Sequence, residues 1–369
     1  MELRPPLRPD LVGLEPYGAP QLRVPVVLNV NENPYPPSPA VVADIAAAVA
    51  AAARGANRYP ERDFPELRQA LADYLAVESG ADVPAAEIWA GNGSNEVMLH
   101  LLQAFGGPGR AVLSWAPTYS MYPEYARDTL TRWVARPRRE DFTIDITAAA
   151  RDIREVRPAV VLLASPNNPT GTALTPDEVA HLATAARGAG PEGADALVVV
   201  DEAYAEFRRV RDSSALGLRQ DHPNLVVSRT MSKAFGMAGL RLGYMAADTR
   251  VVDAVRVVRL PYHLSAITQA AALAALRHRD SLMNQVASLR EERDRLHEWF
   301  GQHGFTAVPS DANFILFGVL PDRRAVWQGL LDRGVLVREV GPEGYLRVTV
   351  GTPEETTQFR SALLEVTGG

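Results

Sequence analysis

Leu197-Val198-Val199-Val200-Asp201-Glu202-Ala203-Tyr204 sets four apolar residues against an acid and, three positions on, a tyrosine. A short apolar run without alternation reads as a strand buried on both faces. Asp201 then stands where that strand opens into a crevice. The same figure recurs on either side. The run 160–164 leads into Ser165-Pro166-Asn167-Asn168-Pro169-Thr170-Gly171, and 225–228 leads into Arg229-Thr230-Met231-Ser232-Lys233-Ala234-Phe235-Gly236. Strand signals also fall at 111–114 and 242–246, with a helix expected over 176–187. Apolar strands alternating with helices predict an α/β fold, a mainly parallel sheet lying between helices. Ligands of such sheets sit beyond the C-terminal strand ends, where these polar residues gather.

The bulk of the chain is ordinary. It has 369 residues, 47% of them apolar and 22% charged, enough for a large core and two domains. A net charge of −6, spread without blocks, argues against nucleic acid as the main partner. The absence of cysteine excludes disulfides and thiolate metal sites, and the histidines show no paired ligand spacing, so no metal is expected. No uncharged apolar stretch reaches a membrane-spanning length, the Ala-rich run 41–53 being interrupted by Asp44. The proline-rich start lacks the apolar core of a signal peptide, and a cytoplasmic protein without membrane contact is the expectation.

Residues 1–37 read as an extended N-terminal arm that packs on another surface, with a short strand over 28–34, Leu28-Asn29-Val30-Asn31-Glu32-Asn33-Pro34. A large domain is expected over 38–258, opening with helices at 40–53 and 65–77 and an exposed turn, Asn57-Arg58-Tyr59-Pro60, between them. Trp89-Ala90-Gly91-Asn92-Gly93-Ser94-Asn95-Glu96 runs straight into a helix ending near Phe105. Free backbone N–H groups and a hydroxyl at the positive end of a helix dipole make a seat for phosphate. The long helix 281–303, charged on one face, marks a smaller α+β domain assigned to 259–369. Strands at 313–317, 335–338 and 345–350 and helices at 323–333 and 353–365 complete it.

Lys233 is the only lysine among 38 lysines and arginines. An arginine-rich composition explains the missing lysines but not the one retained. A guanidinium stays protonated, whereas a primary amine can lose its proton and condense with an aldehyde. Lys233, Asp201, Tyr204, Asn168 and the Gly93-Ser94 turn together match the needs of pyridoxal 5′-phosphate. The amine holds the aldehyde, and a carboxylate keeps the pyridine nitrogen protonated so that the ring accepts electrons. Tyr204 and Asn168 can hydrogen-bond the ring oxygen, and Tyr119 is the candidate to stack on the ring.

Ser165–Gly171, Asp201–Tyr204 and Thr230-Met231-Ser232-Lys233-Ala234-Phe235-Gly236-Met237-Ala238-Gly239-Leu240-Arg241 closely resemble the fold-type-I pyridoxal-phosphate aminotransferases, and more narrowly the histidinol-phosphate aminotransferase family. The resemblance spans about Tyr17 to Gly351 and takes in Asn31-Glu32-Asn33-Pro34, Asn57-Arg58-Tyr59-Pro60-Glu61, Ser310-Asp311-Ala312-Asn313-Phe314 and Leu346-Arg347-Val348-Thr349-Val350-Gly351-Thr352. It implies that Lys233 is the Schiff-base lysine and proton shuttle, that Asp201 pairs with the ring nitrogen, and that Tyr204 and Asn168 hold the ring oxygen. By the same resemblance Tyr119 stacks on the ring, and Gly93, Ser94, Asn95, Thr230, Ser232 and Arg241 hold the cofactor phosphate. Tyr59 would reach that phosphate from a neighbouring subunit, which implies a homodimer with shared sites. Substrate would meet Arg347, Arg338, Tyr17, Asn33 and Asn313. Two arginines suit a phosphate dianion and also accept a carboxylate.

The implied reaction is a ping-pong transamination of L-histidinol phosphate with 2-oxoglutarate, giving imidazole-acetol phosphate and L-glutamate. An aromatic amino acid aminotransferase and a phospho-amino-acid decarboxylase use the same lysine and aspartate and stay open as alternatives. A cis peptide is expected at Asn168-Pro169.

Overall fold

Short runs rich in valine and leucine become strands because branched side chains fill a pleated, doubly buried surface. In the computed structural model, which describes residues 5–210 and 213–368, seven strands form one sheet. Their order is Ile88–Gly91, Gly243–Ala246, Leu225–Thr230, Leu197–Asp201, Val160–Ala164, Ala111–Ala116 and Arg132–Pro137. Gly243–Ala246 runs antiparallel to both neighbours and the remaining pairings are parallel, so the sheet is the mainly parallel one expected. The register sets Ala164 beside Asp201 and Asp201 beside Ser228. Three motif-bearing loops therefore leave the sheet at one edge, next to one another.

The outermost strands carry weaker signals. Ile88–Gly91 is only four residues long and runs straight into a glycine turn, and Arg132–Pro137 is a half-exposed edge with two arginines. Helices cover the sheet and start where their caps dictate. Proline occupies the first turn of Pro39–Ala53, Pro65–Ser79 and Pro176–Ala185, and Thr175 and Glu178 form a capping box at the last of these.

Beyond the sheet, the helix Arg279–Gln302 threads three apolar clusters. Leu282 belongs to the large core; Val286 and Leu289 pack with Tyr204, Phe207 and Phe314; Leu296 and Phe300 enter a smaller core. That smaller core surrounds an antiparallel sheet of Leu346–Thr349, Phe314–Gly318 and Thr306–Ala307, with Phe300 stacked 4.8 Å from Phe317. Helix Ala266–Arg277, beyond position 258, packs against Pro39–Ala53, and Leu264, Ala272 and Ala275 join the large core. Small side chains on both helices suit that close approach.

The arm departs from expectation. Its strand is Val26–Val27, paired in parallel with Val335–Leu336, and not 28–34. The later segment is kept irregular by Asn29, Asn31 and Asn33, whose side chains bond to distant groups, and by a left-handed Asn31 (φ 57°). Residues 1–4 of the expected arm lie outside the described residues. The Asn168-Pro169 peptide is cis, as expected, and so are Ala116-Pro117 and Ser165-Pro166.

Under the strand ends lies a buried ion network. Arg229 Nε donates to Glu202 at 2.9 Å, and its Nη1 reaches Glu78 at 3.0 Å and Glu206 at 3.3 Å. Arg208 meets the other Glu202 oxygen at 3.3 Å. Burial pushes the Glu202 carboxyl up, but Arg229 and Arg208, with hydrogen bonds from the Ala215 N–H and the Ser214 hydroxyl, outweigh burial and hold it low. Removing Arg229 strands buried carboxylates, so Arg229→Ala should cost roughly 3–5 kcal/mol of stability, read as a lower midpoint in chemical denaturation.

Candidate active site

The three loops and the arm enclose a cavity of about 260 Å³ whose walls include Lys233, Asp201, Tyr204, Asn168 and Arg347. Lys233 leaves the end of Leu225–Thr230 and turns inward; its Nζ donates to the Val30 carbonyl at 2.9 Å. Burial first, then the nearby charges of Arg347 and Arg241, push its pKa down to about 8 against the pull of Glu32. A neutral amine is therefore available near neutrality.

Asp201 is buried at the end of its strand. Its Oδ2 accepts from the Tyr122 hydroxyl at 3.1 Å, while Oδ1 has no partner among the described residues. Burial raises its pKa to about 6, opposed by the Tyr122 hydrogen bond. Tyr119 lines the cavity with its ring edge-on to Tyr122 at 5.6 Å and its hydroxyl 3.5 Å from Asn95 Oδ1.

One end of the cavity gathers donors. Helix Ser94–Phe105 begins there at Gly93 (φ 90°), and no side chain caps it. A Cβ on Gly93 would lie 2.6 Å from Arg241 Nη2, and a Cβ on Gly243 would collide with the Ser94 backbone nitrogen. These glycines keep an anion cradle open. Ser94, Asn95, Thr230, Ser232 and Arg241 line it, with Arg241 Nη1 3.4 Å from Ser232 Oγ.

A second part of the cavity lining is cationic. Arg347 donates through Nη1 to Asn168 Oδ1 at 2.6 Å and through Nη2 to the Asn29 carbonyl at 2.6 Å, and lies over the Phe314 ring. Burial lowers its pKa to about 10. Arg338 forms a backbone bridge with Arg347, so the two side chains share a sheet face; its Nη2 reaches the Gly18 carbonyl at 3.3 Å. Tyr17 closes that side, its hydroxyl 2.8 Å from Ser120 Oγ.

Three expected residues lie elsewhere. Tyr59 is 80% exposed, stacked on Tyr262 at 4.5 Å, and does not line this subunit's cavity. Asn33 does not line it either: its Nδ2 donates to the Ala234 carbonyl at 3.3 Å and its Oδ1 accepts from Tyr35. Asn313 sits behind the wall, donating to the Asn31 carbonyl at 3.2 Å. The motif residue that faces inward is Asn31, two positions before Asn33, together with Asn29 and Val30. Tyr122 was missed too, since a tyrosine opening a short helix carries no sign of its aspartate partner.

Residues 23–363 match the family model described as aminotransferase class I and II. The chain belongs to that family. Among its relatives, the histidinol-phosphate aminotransferase of Thermobifida fusca is 60% identical over 363 residues, 98% of this chain and 96% of the relative. That of Bifidobacterium longum is 55% identical over 372 residues, with 98% and 96% covered. In a solved structure, histidinol-phosphate aminotransferase from Sinorhizobium meliloti in complex with pyridoxal-5′-phosphate superposes with a TM-score of 0.84 at 26% identity, covering 98% of this chain and 97% of that one. The class is pyridoxal-phosphate dependent. The cavity of this aminotransferase fits such a group: a buried amine, an unpartnered Asp201 oxygen suited to a cationic N–H, and a glycine-lined anion cradle.

The single lysine makes the amine directly testable. In cofactor-free protein, trapping a small aldehyde with borohydride should label Lys233 with a pH midpoint near 8, against the ordinary 10.5. Labelling rises with pH because the amine reacts only unprotonated. Peptide mapping reads the yield, and Lys233→Ala removes it.

Proposed function

We propose that this aminotransferase moves the amino group of L-histidinol phosphate to 2-oxoglutarate, as a homodimer whose subunits complete each other's sites. The observation that carries the substrate is the paired Arg338 and Arg347, which line the cavity from strands separate from those that carry the anion cradle. A cradle for the cofactor phosphate leaves this second cationic group for a second anion, and two guanidiniums suit a dianionic phosphate while still accepting a carboxylate. The near full-length identity to histidinol-phosphate aminotransferases supports the same choice. For the dimer, Tyr59 and Tyr262 form an exposed aromatic pair, with Leu260 75% exposed nearby in sequence. Tyr59 finds no role in its own subunit's cavity.

Each side chain then has a defined task. Bound pyridoxal phosphate supplies an aldehyde for the amine and an electron sink for the substrate carbon. Asp201 Oδ1 would hold the ring nitrogen's proton, and that positive charge would in turn favour the ionised carboxylate and oppose the rise that burial causes in its pKa. Lys233, with its lowered pKa, can take a proton from the substrate carbon and return it at the neighbouring position. Arg347 and Arg338 orient the anionic tail, and Tyr17 and Ser120 shield it from solvent.

Lys233→Arg should keep the fold and the charge yet lose about 10²–10⁴-fold in turnover, since arginine does not release its proton. Arg338→Ala should raise KM for histidinol phosphate roughly 10–100-fold with a smaller rise for glutamate, the scale of one charge-assisted hydrogen bond. Steady-state assays of both half-reactions measure this. A higher kcat/KM for phenylalanine than for histidinol phosphate would move the assignment to an aromatic aminotransferase, and release of carbon dioxide would move it to a decarboxylase.

A further inference from the structure

The Tyr204 hydroxyl has one hydrogen-bond partner among the described residues: it accepts from Asn31 Nδ2 at 3.0 Å. The orientation of the Asn31 amide decides what the tyrosine can do, because an amide carries a donor on one side and an acceptor on the other. Here a third residue fixes it. Thr349 Oγ1 accepts from the Asn31 backbone N–H at 3.0 Å and donates to Asn31 Oδ1 at 3.1 Å. Reversing the amide would set two donors on the threonine oxygen and leave its hydroxyl proton stranded in a buried site. With Oδ1 committed to Thr349, Nδ2 must face Tyr204. The tyrosine oxygen is then an acceptor toward Asn31, and its own proton stays uncommitted at the cavity wall.

The backbone is built for the same end. Asn31 holds a left-handed conformation (φ 57°), its carbonyl is tied by Asn313 at 3.2 Å, and the preceding Val30 carbonyl receives Lys233. We infer that Asn31 is a positioning residue for the transamination: by occupying the acceptor side of the Tyr204 hydroxyl, it reserves the phenolic proton for the oxygen of the cofactor ring. This rests on the pyridoxal-phosphate reading of the cavity. Asn31 acts only through Tyr204. The other charged or titratable groups facing Tyr204 are Arg347, Asp201, Tyr17 and Lys233, the last 5.9 Å from its ring.

A proton donated to the ring oxygen favours the state in which that oxygen carries more negative charge, which is the deprotonated one. Losing the donation raises the midpoint of the pH-dependent absorbance band of the bound cofactor. The test is a spectroscopic pH titration of the holoenzyme in wild type, Asn31→Gly, Tyr204→Phe and the double variant, with the cofactor dissociation constant measured alongside. Glycine keeps the left-handed backbone accessible, so the substitution removes the amide without straining the turn. The midpoint should rise by about half a pH unit to one unit in Asn31→Gly, further in Tyr204→Phe, and no further in the double variant than in Tyr204→Phe alone. Thr349→Val, which frees the amide to flip, should move it in the same direction.

An unchanged midpoint in Asn31→Gly, or a rise that adds in full to that of Tyr204→Phe, overturns the inference and leaves the cofactor reading standing. A wild-type band that persists unaltered in Lys233→Ala overturns the cofactor reading and this inference with it.

Discussion

Asp201 is a carboxylate out of reach of water, with one oxygen met by Tyr122 and the other met by nothing among the described residues. A lone charge in that position is unfavourable, and its raised pKa records the fact. On the proposed reading, a cation delivered from outside the chain, the ring N–H of the cofactor, would answer that cost. Much else follows from where this group stands. Parallel strands bring Ala164, Asp201 and Ser228 into register, so the loops after them meet around one carboxylate. The Glu202–Arg229 pair, one step beyond on the neighbouring strands, laces those ends together beneath the cavity.

Two cationic groups share the cavity wall with one acid. Donors from the helix start at Gly93 and from Arg241 form one group, Arg347 and Arg338 the other, and Asp201 lines the same cavity. Burial first, then Arg347 and Arg241, depress the affinity of Lys233 for a proton. The single lysine of an arginine-rich chain thus owes its lowered pKa first to burial and then to two arginines beside it. Arg347 is anchored by Asn168 and by the arm's Asn29 carbonyl, so its fork is already aimed before any substrate arrives.

Much of this was legible in the sequence, and the exceptions have physical causes. Unbroken apolar runs such as Val160–Ala164 announce buried strands because both faces must be covered, and the polar residues after them mark the crevice. Arg132–Pro137 hid because an edge strand needs only half an apolar face. An alanine-rich helix such as Ala266–Arg277 gives no hint in the sequence of which core it joins; a second alanine-rich helix, far away in the chain, is what it packs against. Within the site, the strand-end residues Asp201, Tyr204, Asn168 and Lys233 line one cavity, whereas Asn31, in a left-handed conformation that no local pattern announces, lines it in place of Asn33. Tyr122 serves Asp201 through a contact spanning 79 positions, which no local pattern encodes.

The arm's hold on the far end of the chain bears on how the molecule is made. Asn31 is tied to Thr349 across 318 positions, and the Asn29 carbonyl receives Arg347 across the same separation. A nascent polypeptide emerging from the ribosome has its sheet and its lysine long before it has these partners. The pocket therefore cannot close until Arg347 and Thr349 have been made, and translation products cut short before them are left with an open, incomplete site.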